Sequence, residues 1–151
     1  MAAWAKAQGK SPFELLLEIY KEFGFYLETL ASITKKGQSG AEEIQNMMKK
    51  FRSNTPEQLG GSKVSKVLDF QKSTSRDLSS DKEIGLNFPK SNVLQFLTED
   101  GSRISVRPSG TEPKIKFYFS TKTTLDSKEK YQETFQSLEK KLDSLKKDLF
   151  Q

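Results

Sequence analysis

The sequence predicts an α+β fold: a small antiparallel sheet with helices packed on one face, preceded by a helical remnant of another domain. Three observations carry this expectation. Apolar residues recur at helical spacing on both sides of the chain's middle, at Ile44, Met47, Met48 and Phe51 and again at Leu138, Leu142, Leu145 and Leu149. Between them the pattern turns to alternation, clearest at Ile115, Phe117 and Phe119. Turn chemistry separates the alternating runs, at Asp100-Gly101 and across Pro108–Pro113.

The elements follow in order. Residues 2–8 read as the last turns of a helix stopped by Gly9, a stretch too short to stand alone, so the chain is expected to begin inside a longer helix. Ser11-Pro12-Phe13-Glu14 is a helix start, with Ser11 as cap, Pro12 at the first helical position and Glu14 closing a capping box. Phe13, Leu16, Tyr20 and Phe23 would form its apolar face, and Gly24 its end. Phe25–Thr34 favours extended backbone. Ser39-Gly40-Ala41-Glu42 reads as a second capping box, opening a helix that Asn54-Thr55-Pro56 closes. Gly60-Gly61 reads as a flexible joint.

Val64–Phe70 is the first strand expected of the sheet, and residues 71–91, rich in Ser, Lys and Asp, read as a long surface excursion. Val93–Leu97 and Arg103–Val106 flank the Asp100-Gly101 turn, and Lys114–Thr121 is the last strand. Asp126 or Ser127 caps a final helix whose stripe runs from Tyr131 and Phe135 to Leu149. Its spacing also suits a coiled coil, but it is short and lacks β-branched residues, which favours a helix lying across the sheet. The chain is thus divided into residues 1–37, a linking helix and joint over 38–61, and a C-terminal unit over 62–151.

Composition narrows the function. With 151 residues there is room for one ordinary domain, or a small one plus a remnant. The absence of cysteine and histidine removes Cys/His nucleophile pairs, Ser-His-Asp triads and His- or Cys-ligated zinc. It also fits a reducing cytoplasm, the expected location. No apolar run approaches the roughly 20 residues that span a bilayer, and charge interrupts the N-terminus too early for a signal peptide, so no membrane partner is expected. The net charge of +5 is compatible with an anionic partner, and equally with lysines that simply solvate the helices. The final helix carries as many acidic as basic residues, so the excess lies elsewhere.

One segment looks built for a ligand: Arg107-Pro108-Ser109-Gly110-Thr111-Glu112-Pro113. Pro108 biases Arg107 to extended backbone, and Gly110 allows close backbone approach. Ser109 and Thr111 supply hydroxyls, and their N–H groups are placed to converge into an anion-binding nest. Alternation turns Ile104 and Val106 toward the helices and Arg103, Ser105 and Arg107 away, with Lys114, Lys116 and Tyr118 joining the open face. Arg107 and Lys116 with these hydroxyls and amides would make a phosphate site. The residues alone fit a tight hairpin with a surface arginine equally well.

Residues 107–118, Arg-Pro-Ser-Gly-Thr-Glu-Pro-Lys-Ile-Lys-Phe-Tyr, closely resemble the C-terminal phosphate-binding signature of the phosphoglucomutase/phosphomannomutase family, the α-D-phosphohexomutases. Gly61-Ser62-Lys63-Val64 and Asp69-Phe70 resemble the start of that family's fourth domain, and Ala2-Ala3-Trp4 through Tyr26 the closing helices of its third. The resemblance implies a four-domain parent enzyme that interconverts hexose 1- and 6-phosphates through a phosphoserine, with magnesium and a hexose bisphosphate intermediate. Arg107, Ser109, Gly110 and Thr111 match the loop that holds the non-transferred phosphate, and Lys116 matches a basic position on the next strand. The implied partners are a hexose phosphate and the upstream domains.

The departures matter equally. The family's Thr-Ala-Ser-His-Asn phosphoserine loop, its Asp-x-Asp-x-Asp-Arg magnesium loop and its Gly-Glu-x-Ser-Gly sugar loop have no counterpart here. No cofactor is therefore expected in this piece, and no turnover by it alone. Two rival readings use the same residues differently: a basic nucleic-acid-binding module with Lys116, Phe117 and Tyr118 interleaved, and a helical interaction module using the C-terminal stripe. Neither is preferred, and no nucleic-acid partner is expected.

Overall fold

The structure, a computed structural model, describes residues 2–150. In chain order these form α1 (Ala2–Ala7), α2 (Pro12–Phe23), β1 (Phe25–Thr34), α3 (Gly37–Ser53), β2 (Gln58–Leu59), β3 (Ser62–Asp69), β4 (Thr74–Asp77), β5 (Lys82–Gly85), β6 (Leu94–Thr98), β7 (Arg103–Pro108), β8 (Lys114–Thr123) and α4 (Tyr131–Phe150). The fold is α+β. Its sheet is antiparallel and ordered β1-β8-β7-β6-β3-β4-β5, with β2 paired to β3.

Alternation builds the core. Phe96, Ile104, Val106, Ile115, Phe117 and Phe119 point to one face and are almost wholly buried. Ile44 and Met48 of α3 and Leu142, Leu145 and Leu149 of α4 cover that face. Each such side chain contributes roughly 1.5–3 kcal/mol by leaving water. The leucine stripe of α4 is thereby consumed by the sheet rather than presented to another helix.

A second cluster attaches α2. Leu17 packs with Phe25, Leu125 and Leu138, and the Phe25 ring stacks between Tyr20 (4.3 Å) and Tyr131 (5.3 Å). The Ser11 capping box forms as expected, Glu14 N–H donating to Ser11 Oγ and Ser11 N–H to Glu14 Oε2. The buried face of α2 is Leu15 and Leu17, however, and the expected face is displaced: Phe13 and Phe23 are exposed. Tyr20 of the expected face still stacks on Phe25, so the buried face is rotated toward Leu17 rather than lost.

Other elements also depart from the expected outline. The helix α3 begins at Gly37, two residues before the expected box, with Lys36 as N-cap and no side-chain cap. Residues 71–91 are not a bare excursion, because β4 and β5 add two short strands to the sheet. The final helix starts at Tyr131, after turns in which Lys130 N–H donates to Ser127 O and Tyr131 N–H to Lys128 O. Gly60-Gly61, expected as a flexible joint, is the tight turn between β2 and β3, with φ of 58° and 74°. Gly60 is pinned: its N–H donates to Asp148 (2.7 Å) and its carbonyl accepts from Lys141 (2.7 Å). The sheet also crosses the division expected at residue 37, since all ten residues of β1 pair with β8.

Candidate functional site

The site grows from the face of β7 and β8 that the helices leave uncovered. Each inward residue of these strands has outward neighbours, so Arg103, Ser105 and Arg107 stand on the open face beside Ser120, Tyr118 and Lys116. Arg107 and Lys116 are direct register partners. Directly opposed residues on one face of an antiparallel pair lie about 4.5–5.5 Å apart at Cβ, where like charges destabilise the sheet. Among the described residues neither side chain takes part in an ion pair. Two cations held side by side without a carboxylate are a standing attraction for an anion.

The loop between the strands is fastened at its base and free at its tip. Ser109 N–H donates to Lys114 O (2.7 Å), Lys114 N–H to Glu112 O (2.7 Å), and Lys35 N–H, just past β1, to Pro113 O (2.8 Å). The Ser109 amide is therefore engaged, contrary to the expected nest, and Thr111 N–H turns toward Ser109 Oγ at 3.4 Å. The N–H groups of Gly110 and Glu112 make no hydrogen bond among the described residues. Gly110 has no positive φ, and a Cβ there would meet nothing within 4 Å. Neither backbone conformation nor packing within the chain calls for glycine at 110, which leaves open approach to the backbone as the property it provides.

Four of the five expected site residues, Arg107, Ser109, Gly110 and Thr111, thus lie on the strand end and loop, and Lys116 joins them by register. Sequence reasoning missed the third strand of the row. Ser32 of β1 stands opposite Lys116, and Thr34 opposite Lys114. Nothing in the sequence named β8 as the partner of β1. Also missed was the clamp at this end of the sheet, where Arg52 of α3 donates to buried Asp69 (3.0 Å) and to Asn92 (2.7 Å). Asp69 further accepts from the N–H groups of Gln71 and Lys72. One row further from the loop, Glu28, Leu30, Gln95, Arg103, Ser105 and Tyr118 line a shallow cavity of about 510 Å³. Phe117 is fully buried, so of the two interleaved aromatics only Tyr118 can meet a ligand.

The magnesium that the resemblance implies finds no donor set among the described residues: no three Asp or Glu side chains gather as metal ligands would.

Comparison with known proteins gives the family. Its sequence model for the phosphoglucomutase/phosphomannomutase C-terminal domain matches residues 35–138. A phosphoglucomutase of Staphylococcus aureus strain bovine RF122 / ET3-1 is 42% identical over 121 residues, covering 80% of this chain and 22% of that protein. The phosphoglucomutase of strain MRSA252 is 40% identical over the same shares. The open form of parafusin, a phosphoglucomutase from Paramecium, aligns over 87% of this chain and 22% of its own, with 17% identity and a TM-score of 0.43. The chain spans about a fifth of the length of the curated relatives it matches. It belongs to the phosphoglucomutase/phosphomannomutase family, of which it carries the C-terminal domain.

Proposed function

We propose that this chain is the phosphate-gripping end of a cytoplasmic phosphohexomutase, and that Arg107, Ser109, Gly110, Thr111 and Lys116 hold the substrate phosphate that is not transferred. The observation that carries the reading is the Arg107–Lys116 register pair, two cations facing one another with no carboxylate partner among the described residues. The guanidinium offers a planar fork for two phosphate oxygens, Lys116 an ammonium, and the free Gly110 and Glu112 amides further donors. In the parent enzyme this grip would fix the distal phosphate so that the reacting one meets its nucleophile in line, and its binding energy would be available to close the cleft. The nucleophile, magnesium ligands and sugar loop belong to upstream domains, so the chain alone binds but does not turn over. On this reading residues 1–37 are the end of the third domain, 38–61 a link, and 62–151 the fourth domain, with β1 laid on its sheet.

The test is a titration of the chain with inorganic phosphate and with glucose phosphates, followed by amide shifts. Shifts should centre on residues 107–116, with a dissociation constant around 1 mM, about −4 kcal/mol. Arg107→Ala should abolish them by removing a charge-assisted contact of roughly 1.5–3 kcal/mol, and Arg107→Lys should restore them only in part. Shifts spread over the lysines of α4 and unchanged in Arg107→Ala would overturn the reading.

A further inference from the structure

The two edges of the sheet are unlike. At one edge β5 is four residues long, carries Lys82 and Glu83, and is exposed throughout, as edges that resist pairing are. At the other, β1 is ten residues long with Glu28 as its single charge. Its register with β8 runs on to Lys35, whose N–H donates to Pro113 O. Antiparallel strands alternate the side on which their backbone groups bond. The odd-numbered residues of β1 therefore bond to β8, and Tyr26, Glu28, Leu30, Ser32 and Thr34 turn their N–H and C=O groups outward. None of these outward groups has a protein partner among the described residues. The same residues project their side chains onto the open face, where Leu30 is 55% exposed beside its register partner Tyr118, 42% exposed.

We infer that β1 is a self-association edge, pairing antiparallel with β1 of a second copy about a two-fold axis at Leu30. The strand is self-complementary in that register. Leu30 faces the second copy's Leu30, Glu28 faces Ser32, and Tyr26 faces Thr34, so every outward backbone group is bonded. The lone carboxylate then meets a hydroxyl, whereas a register shifted to centre on Glu28 would oppose two carboxylates, a costly pairing. Apolar surface becomes continuous across the axis as Tyr118, Leu30, Leu30 and Tyr118 of the two copies. The contact is isologous and closes at two chains, because β5 is too short and too charged to propagate the sheet.

The chain's lack of cysteine gives the test a clean readout. Leu30→Cys places two thiols across the axis at a Cα separation of about 5.5 Å, within disulfide range. Glu28→Cys places its thiols four residues apart along the strands, about 13 Å, which is out of range. Under mild oxidation Leu30→Cys should form covalent dimers at least tenfold faster than Glu28→Cys. Sedimentation of the unmodified chain should show a concentration-dependent monomer–dimer equilibrium. Leu30→Lys should weaken it at least tenfold while circular dichroism stays unchanged. Ser32→Pro, which removes one outward N–H and none that bonds β8, should do the same. A monomer at all concentrations, equal cross-linking by the two cysteine variants, or a dimer indifferent to both Leu30→Lys and Ser32→Pro would each overturn the inference.

Discussion

At one end of β7 the chain turns through Thr98–Ser102, and at the other through Ser109–Pro113, and the two turns use their polar groups in opposite ways. In the first, Asp100 accepts from Thr98 Oγ1 (2.6 Å) and Ser102 N–H (3.1 Å), and its own N–H donates to Ser62 Oγ (3.3 Å). Lys141 of α4 reaches up to pair with the Asp100 carboxylate. Ser102 and Thr121 hydroxyls bond each other in the buried layer beneath. In the second turn three backbone bonds close the base, while Arg107, Gly110, Thr111 and Glu112 face solvent. Turn residues are common to both. What separates them is that α4 supplies a countercharge at one end, and no described residue supplies one to Arg107 at the other. The first turn's charges serve the fold, and on the function proposed above the second's serve a ligand.

The largest effect should come from the strand face that supports both turns. Phe117 is fully buried, with its ring edge-on to Phe51 (6.0 Å) and Phe150 (4.9 Å). Phe117→Ala should cost about 3–5 kcal/mol in urea unfolding. Tyr118→Ala, one residue on and facing out, should stay within about 1 kcal/mol. Similar costs for the two would mean that the alternation on which both turns depend is misassigned. Gly60→Ala comes next, at about 2 kcal/mol. Its Cβ would lie 2.8 Å from Leu145 Cδ2 at a φ of 58°, in the turn that carries the Asp148 and Lys141 contacts. Arg107→Ala should change stability by no more than about 0.5 kcal/mol while phosphate binding disappears. A stability loss above about 1 kcal/mol would make the second turn structural like the first.

How much of this was legible beforehand follows the range of the interactions. Period-two alternation placed Ile104, Val106, Ile115 and Phe117 inside and Arg107 and Lys116 together outside, because both consequences need only neighbouring residues and one short hairpin. The Ser11 capping box and the Asp100-Gly101 turn are local in the same sense. The pairing of β1 with β8 joins segments about ninety residues apart, so Ser32's place in the basic row had no local signal. The Arg52–Asp69–Asn92 clamp and the Gly60 tether to α4 are likewise tertiary. Glycines were misread for a related reason: Gly60-Gly61 has the composition of a flexible joint, and only the partners that pin it make it a turn.

The pH dependence of stability tests the first turn's charge directly. Burial alone would raise the Asp100 pKa, yet hydrogen bonds from Lys141, Thr98 and Ser102 outweigh it and hold the group at about 2, below its ordinary 3.8. A carboxyl whose folded pKa is depressed stabilises the fold above its unfolded pKa, and that contribution is lost as pH falls through the folded value. The window here runs from about pH 4 down to about pH 2. The Asp100 side chain is 37% exposed, so solvent screening reduces the contribution to about 1 kcal/mol. Urea unfolding of the native chain and Asp100→Asn should differ by about that much at pH 5 and converge near pH 2. Arg107→Ala should track the native chain through the same window, since its charge has no ion-pair partner among the described residues. A difference between the native chain and Asp100→Asn that stays flat with pH would mean neutral hydrogen bonds hold the first turn. The contrast between a turn that uses its charge and one that withholds it would then fail.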